Sequence, residues 1–293
     1  MPPQPRPRRQ PRLLKLALSL SLRAAQPLHK LHGVLDRVGG LILGLLAWVG
    51  DVALFGFHAL YAALLPPYEF KETWRQIFEI GWRSLPLVAL SGFAVGVVLS
   101  MHTRASLERF GAEAMIPAGL AIALIRETGP LAAGLLVAGR AGAGIGAELG
   151  AMKVTEQIDA LEAVAVDSFK FLAVTRILAC VIAMPLLTTV MDFAGIFGGY
   201  AAEASISGMS AQLYFHRAFT MIEFSDFVPA TIKTAVFGFI IGTVASYLGF
   251  TTSQGTEGVG RASTSSVVLS SICIILINVV LVKLIFLVFP VRA

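Results

Sequence analysis

Residues 115–142 read MIPAGLAIALIRETGPLAAGLLVAGRAG, and how this stretch is read decides the fold. Twelve uncharged residues precede Arg126, and twelve more separate Glu127 from Arg140. At about 1.5 Å per helical residue, neither half reaches the roughly 30 Å of a bilayer core. A crossing here must carry Arg126 and Glu127 within the membrane or close to its outer boundary. Charges at that depth are costly unless paired or hydrated, so they face protein or a water-filled cavity. Neighbouring residues point about 100° apart on a helix, so each of the two needs a partner elsewhere. Lys233, at the edge of a later apolar run, lies at a similar depth and is a candidate partner of Glu127, with snorkelling to the headgroups as the alternative. Gly129 and Pro130 follow at once, and a proline without a donor N–H predicts a bend beside the charged pair.

The rest of the chain fits the same solvent. Hydrophobic residues make up 56% of the 293 positions and charged residues 14%, too few charges for an ordinary soluble domain. Runs free of Asp, Glu, Lys and Arg cover residues 84–103, 234–256 and 262–282. With two charge-bearing runs added, five membrane-spanning helices are expected, at about 84–103, 116–148, 171–202, 227–252 and 264–288. Residues 38–65 are apolar but broken by Asp51, His58 and five glycines; they predict a helix in or dipping into the interface, with a sixth crossing as the alternative. The fold class is all-α integral membrane.

The net charge of +5 does not point to nucleic acid, because eleven of the 23 Lys and Arg lie in residues 1–83. By the positive-inside rule that segment is cytoplasmic. Residues 1–34 form a Pro/Arg-rich tail suited to anionic headgroups. They do not read as a cleaved signal peptide, since the apolar stretch is interrupted by Lys15 and stops at Arg23. Cys180 and Cys273 fall within spans as small apolar fillers, and the five histidines lack metal-ligand spacing. Small residues recur four apart at Gly92/Gly96, Gly142/Gly146/Gly150, Gly195/Gly199 and Gly238/Gly242. Such faces let backbones approach in lipid, which predicts a compact bundle and a seam between two copies.

After Gly150 the sequence turns polar: AMKVTEQIDALEAVAVD, residues 151–167. Glu156, Asp159 and Glu162 recur three apart, while Ile158, Leu161 and Ala165 favour another side. This is a short amphipathic helix at about 151–165 in a cytoplasmic loop, with Thr155 as its expected cap.

Residues 123–167, ALIRETGPLAAGLLVAGRAGAGIGAELGAMKVTEQIDALEAVAVD, resemble the signature of MlaE/YrbE-type permeases. These are the membrane subunits of ABC transporters that move phospholipids between inner and outer membranes together with MCE-domain proteins. The likeness continues in MPLLTTVMDFAGIFGG, TIKTAVFGFIIG and EGVGRASTSSVVLSS and covers about residues 35–290. Thr128 and Ser168 depart from the family pattern, which favours an aliphatic residue and a proline there.

The resemblance implies a homodimer in the bacterial inner membrane, with an N-terminal interfacial helix and five spans per subunit. It makes the short loop helix a coupling helix that docks on a separate ABC ATPase, placing Glu148, Lys153, Glu156, Asp159 and Glu162 at that interface. It places Arg126, Glu127 and Lys233 near the outer end of a phospholipid cavity, below a periplasmic MCE-domain (MlaD-like) ring. A small STAS-type accessory protein belongs to the same assembly. No catalytic residue and no cofactor is expected in this chain, and ATP and Mg belong to the ATPase. The sequence contains no Gly-Lys dipeptide and so cannot write a GxxxxGK[ST] phosphate loop.

Two other classes fit less well. An ATP-independent channel or secondary transporter could use Arg126, Glu127 and Asp192, but no inverted repeat with paired broken helices is visible. A lipid-modifying enzyme would need a nucleophile with its base or a metal cluster, and His102 and His216 stand alone.

Overall fold

The apolar runs all become helices. The computed structural model describes residues 39, 40, 43–253 and 255–288, so the tail at 1–34 lies outside the described residues. In chain order the helices are α1 (Leu43–Ala63), α2 (Phe70–Leu107), α3 (Ile116–Ala123), α4 (Gly129–Val137), α5 (Ala143–Val154), α6 (Gln157–Ala163), α7 (Thr175–Ser207), α8 (Ala211–Thr220), α9 (Phe224–Phe250) and α10 (Gly255–Val288). Among the described residues there are no strands, and the protein is an all-α integral membrane protein.

Among the described residues, six helical stretches are long and apolar enough to cross a bilayer: Leu43–Ala63, Phe70–Phe110, Glu113–Val154, Phe169–Ser207, Phe224–Phe250 and Gly255–Val288. Five overlap the expected spans, and the fourth of them ends at Phe250, two residues short of the expected 252. The sixth, α1, has the length for a crossing, so length and apolarity leave it eligible both to cross and to lie in the interface. Several helices outrun the hydrocarbon. α2 begins fourteen residues before the charge-free run, and its first turns carry Glu72–Arg75 and Glu79–Arg83 ion pairs at 3.5 and 2.6 Å.

The described residues from Leu54 to Val288 form one compact unit. The glycine stripes set its helix crossings. A Cβ on Gly92 would meet the Met191 backbone at 2.5 Å, one on Gly96 would enter the Gly195 backbone, and one on Gly198 the Phe93 backbone. α2 and α7 therefore touch backbone to backbone. Gly238 and Gly242 do the same for α9 against Cys180 and Ile177 of α7, and Gly146 seats Ser266 of α10. These stripes are consumed inside one chain and are not free to form the predicted seam with a second copy. The buried core they enclose includes Val88, Val137, Leu149, Met184, Met191 and Phe237.

Immediately before Gly129 and Pro130 the helix carries a π-helical segment, Leu124–Thr128, and a second one follows at Ala138–Gly142. A π-turn widens the helix by one residue and re-aims the side chains it holds. Here those side chains are Arg126, Glu127 and Arg140.

Candidate functional site

Arg126 and Glu127 stand where the first π-segment faces α9 and α10. Each finds its own partner. Lys233 Nζ donates to Glu127 Oε1 at 2.9 Å, and Asn278 Nδ2 donates to Glu127 Oε2 at 3.3 Å. Arg126 Nε donates to Asp226 Oδ1 at 2.7 Å. Pro130 has no N–H to give the carbonyl four residues back, which belongs to Arg126, and Lys233 Nζ donates to that oxygen at 2.8 Å. The proline thus shapes the helix and exposes an acceptor for the buried lysine.

Asp226 was not singled out from sequence, although a signal was present. It precedes Lys233 by seven residues, two helical turns, so both reach from one face of α9 toward the adjacent Arg126 and Glu127. Asp226 also closes a capping box with Glu223 at the start of α9, accepting from the Glu223 N–H at 3.2 Å. One carboxylate therefore fixes both the helix terminus and the arginine.

The burial is uneven: the Lys233 side chain is fully buried, whereas those of Glu127 and Arg126 are 45% and 37% exposed. The network leaves Glu127 and Arg126 partly exposed and hides the lysine that holds Glu127. Beside it opens a largely apolar cleft of about 240 Å³, lined by Ile125, Ile196, Phe219, Phe224 and Phe227 and reached by Asp192. Asp192 is buried against Gly129, where a Cβ would collide with its Oδ1, and that oxygen has no hydrogen-bond partner.

The polar loop helix differs from its sequence reading. Residues 151–154 still belong to α5, and the short helix is α6, residues 157–163. Thr155 does not cap α6: its hydroxyl donates to the Ala151 carbonyl at 2.8 Å and so closes α5 instead. The residue before α6 is Glu156, in the left-handed region at φ 58°, which turns the chain sharply. Ile158 is buried and pins α6 to the bundle core. Glu156, Asp159 and Glu162 are exposed as expected. Lys153 pairs with Asp159 at 2.9 Å, Glu162 accepts from the Ser168 hydroxyl at 2.5 Å, and Glu148 is held at 2.8 Å by Arg176. Arg176, 2% exposed in the bundle and also bonded to the Leu172 carbonyl at 2.9 Å, was not anticipated.

A third ion cluster escaped sequence reading. Arg104 near the end of α2 grips Glu203 of α7, which is fully buried and also accepts from Ser100 at 3.0 Å. Its members lie about a hundred residues apart, so no local spacing reveals it. Among the described residues, no group of His, Cys, Asp and Glu could hold a metal ion.

Comparison with known proteins agrees with this architecture. The family model described as permease MlaE matches residues 73–284. A probable ABC transporter permease protein of Rickettsia typhi is 41% identical over 238 residues, covering 81% of this chain and 92% of the relative. The chloroplastic protein TRIGALACTOSYLDIACYLGLYCEROL 1 of Arabidopsis thaliana is 32% identical, covering 82% of this chain and 69% of the relative. The intermembrane phospholipid transport system permease protein MlaE of Haemophilus influenzae is 29% identical, covering 86% and 97%. The chain belongs to the MlaE family of ABC transporter permeases.

Proposed function

We propose that this protein is the membrane subunit of a transporter that moves phospholipids between the inner and outer membranes of a bacterium, driven in trans by a cytoplasmic ABC ATPase. The observation that carries this reading is the network of Arg126, Glu127, Lys233, Asp226 and Asn278 beside an apolar cleft. Charged side chains next to an apolar volume suit an amphiphile, whose phosphate and acyl chains need opposite surroundings. The Haemophilus relative, a permease of an intermembrane phospholipid transport system, points the same way.

In this reading Arg126 and Glu127 guide the headgroup, and Lys233 holds Glu127 in place from behind. Two copies enclose the cavity, with an MCE-domain protein above it on the periplasmic side and a STAS-type protein among the accessories. The N-terminus is cytoplasmic. α6 is the coupling helix: Glu156, Asp159 and Glu162 face the ATPase with Lys153 and Glu148 beside them, Lys153 tying α6 to α5 through Asp159 and Glu148 tying α5 to Arg176 of α7. ATP and Mg bind to the ATPase, and closure of its dimer moves α6 and the spans joined to it.

The test is lipid transfer between proteoliposomes carrying this protein, its ATPase and its MCE partner, and acceptor vesicles. ATP-dependent transfer that is lost in Glu127→Ala/Lys233→Ala, with the complex intact, is the expected result. Transfer driven by an ion gradient without the ATPase would favour the secondary-transporter reading instead.

A further inference from the structure

Among the described residues, Arg140 is a bundle cation that meets no carboxylate. Arg104, Arg126, Arg176 and Lys233 each meet a carboxylate. Arg140, in the second π-segment, meets a hydroxyl: its Nη1 donates to Ser84 Oγ of α2 at 3.2 Å. Among the described residues no carboxylate stands within ion-pair distance of it. The charged groups whose fields reach Arg140 are Arg83 and Glu79, and these two already pair with each other at 2.6 Å. The cluster therefore holds one positive charge in excess.

Its depth is marked by aromatic rings. Trp74, Phe78 and Trp82 recur four apart on α2 and are 73%, 62% and 62% exposed, with Phe78 and Trp82 stacked 6.0 Å apart. Exposed tryptophans on a spanning helix sit at the level of the lipid headgroups. Ser84 follows Trp82 by two residues, about 3 Å along the axis. Arg140 thus offers a guanidinium, steadied on one edge by Ser84, at the depth where phosphates lie. A guanidinium fork matches a phosphate with two parallel hydrogen bonds. The site is separate from the Arg126 network, which lies fourteen residues, roughly 20 Å, further along the same crossing.

We propose that Arg140, steadied by Ser84 and supported by Arg83, binds the phosphate of a phospholipid headgroup in the leaflet at the N-terminal end of α2. The proposal rests on the transport reading only in treating that lipid as cargo; binding itself needs no ATPase.

The test is native mass spectrometry of the purified full chain in detergent with added dioleoyl phosphatidylglycerol, with dioleoylglycerol as the phosphate-free control. Arg140→Gln is expected to lose one phosphatidylglycerol per chain, with apparent affinity falling about tenfold, as removal of a charge-assisted pair predicts. Arg140→Lys should recover part of the binding, and dioleoylglycerol should bind both forms alike. If Arg140→Gln fails to fold, Ser84→Ala and Arg83→Gln carry the test, each expected to weaken binding severalfold. Unchanged phosphatidylglycerol binding in these variants overturns the proposal. So does full displacement of the lipid by millimolar inorganic phosphate, which would make this a free-anion site, or loss of a second copy with lipid retained, which would make Arg140 an interface residue. Loss of the lipid in Arg140→Gln, alongside absent ATP-driven transfer by the unaltered complex, would leave this site standing and remove the transport reading.

Discussion

Lys233 Nζ lies 2.9 Å from Glu127 Oε1 while its side chain is fully buried and that of Glu127 is 45% exposed. The pair is therefore unequal. Glu127 can be hydrated when its partner is absent, but Lys233 cannot. The lysine acts as a buried post for a partly exposed carboxylate.

That inequality predicts different costs for the two truncations. Glu127→Ala leaves an uncompensated buried ammonium and should destabilise the detergent-solubilised protein by about 3 kcal/mol. Lys233→Met leaves a hydrated carboxylate and should cost clearly less. The double variant should be more stable than Glu127→Ala alone, giving a double-mutant coupling of about 1–3 kcal/mol. Thermal unfolding of the four proteins measures this, and equal costs for the two single variants would refute the asymmetry.

Helix contacts give a second prediction. A methyl on Gly96 runs into the backbone of Gly195, which has no rotamer by which to yield, whereas a methyl on Gly81 of the same helix meets nothing within 4 Å. Gly96→Ala should cost about 1–3 kcal/mol by forcing α2 and α7 apart. Gly81→Ala should be neutral or raise stability by up to about 1 kcal/mol through helix propensity. Melting temperatures from one detergent would separate the two, and similar values would show that the α2–α7 crossing is not backbone-limited.

Tyr214 of α8 supplies a third. Its ring is buried among Tyr200 and Phe215, and its hydroxyl has no hydrogen-bond partner. Burial, with the negative charge of Glu203 adding to it, pushes the phenol well above its ordinary pKa, so it stays protonated throughout the physiological range. A buried hydroxyl without a partner costs free energy, and Tyr214→Phe removes it without changing the ring. The variant should be as stable as the parent or more so by about 1 kcal/mol. A loss of 2 kcal/mol or more would mean that the hydroxyl is satisfied by bound water.

These positions differ in how far the sequence disclosed them. The spans were legible because lipid permits long apolar helices and little else, and the Glu127–Lys233 pairing followed from depth alone. The Arg126–Asp226 contact was hidden by the capping role of Asp226, which makes an acid at a helix start look ordinary. Arg104 and Glu203 were unreadable, since their pairing depends on the α2–α7 crossing rather than on any spacing along the chain. The glycine stripes were recognised as packing faces, but sequence cannot say whether a face packs within a chain or between chains. Thr155 fits a cap by composition; its hydroxyl instead bonds backwards, because α5 is still in register one turn earlier.

The loop helix gives the last prediction, and the structure separates its surface chemistry from its support. Asp159 pairs with Lys153 in an exposed setting, worth no more than about 0.5 kcal/mol, and Glu156 is exposed beside it. Reversing both, Glu156→Lys/Asp159→Lys, should leave the melting temperature of the isolated protein unchanged and reduce its affinity for the ATPase about tenfold or more. Ile158 is 2% exposed, and Ile158→Asp places a charge in that packing, so it should lower stability as well as association. Co-purification at rising salt, alongside thermal unfolding of each variant, tests the distinction. ATPase association unaffected by the double reversal would mean that α6 does not carry the docking surface, whatever its resemblance to a coupling helix.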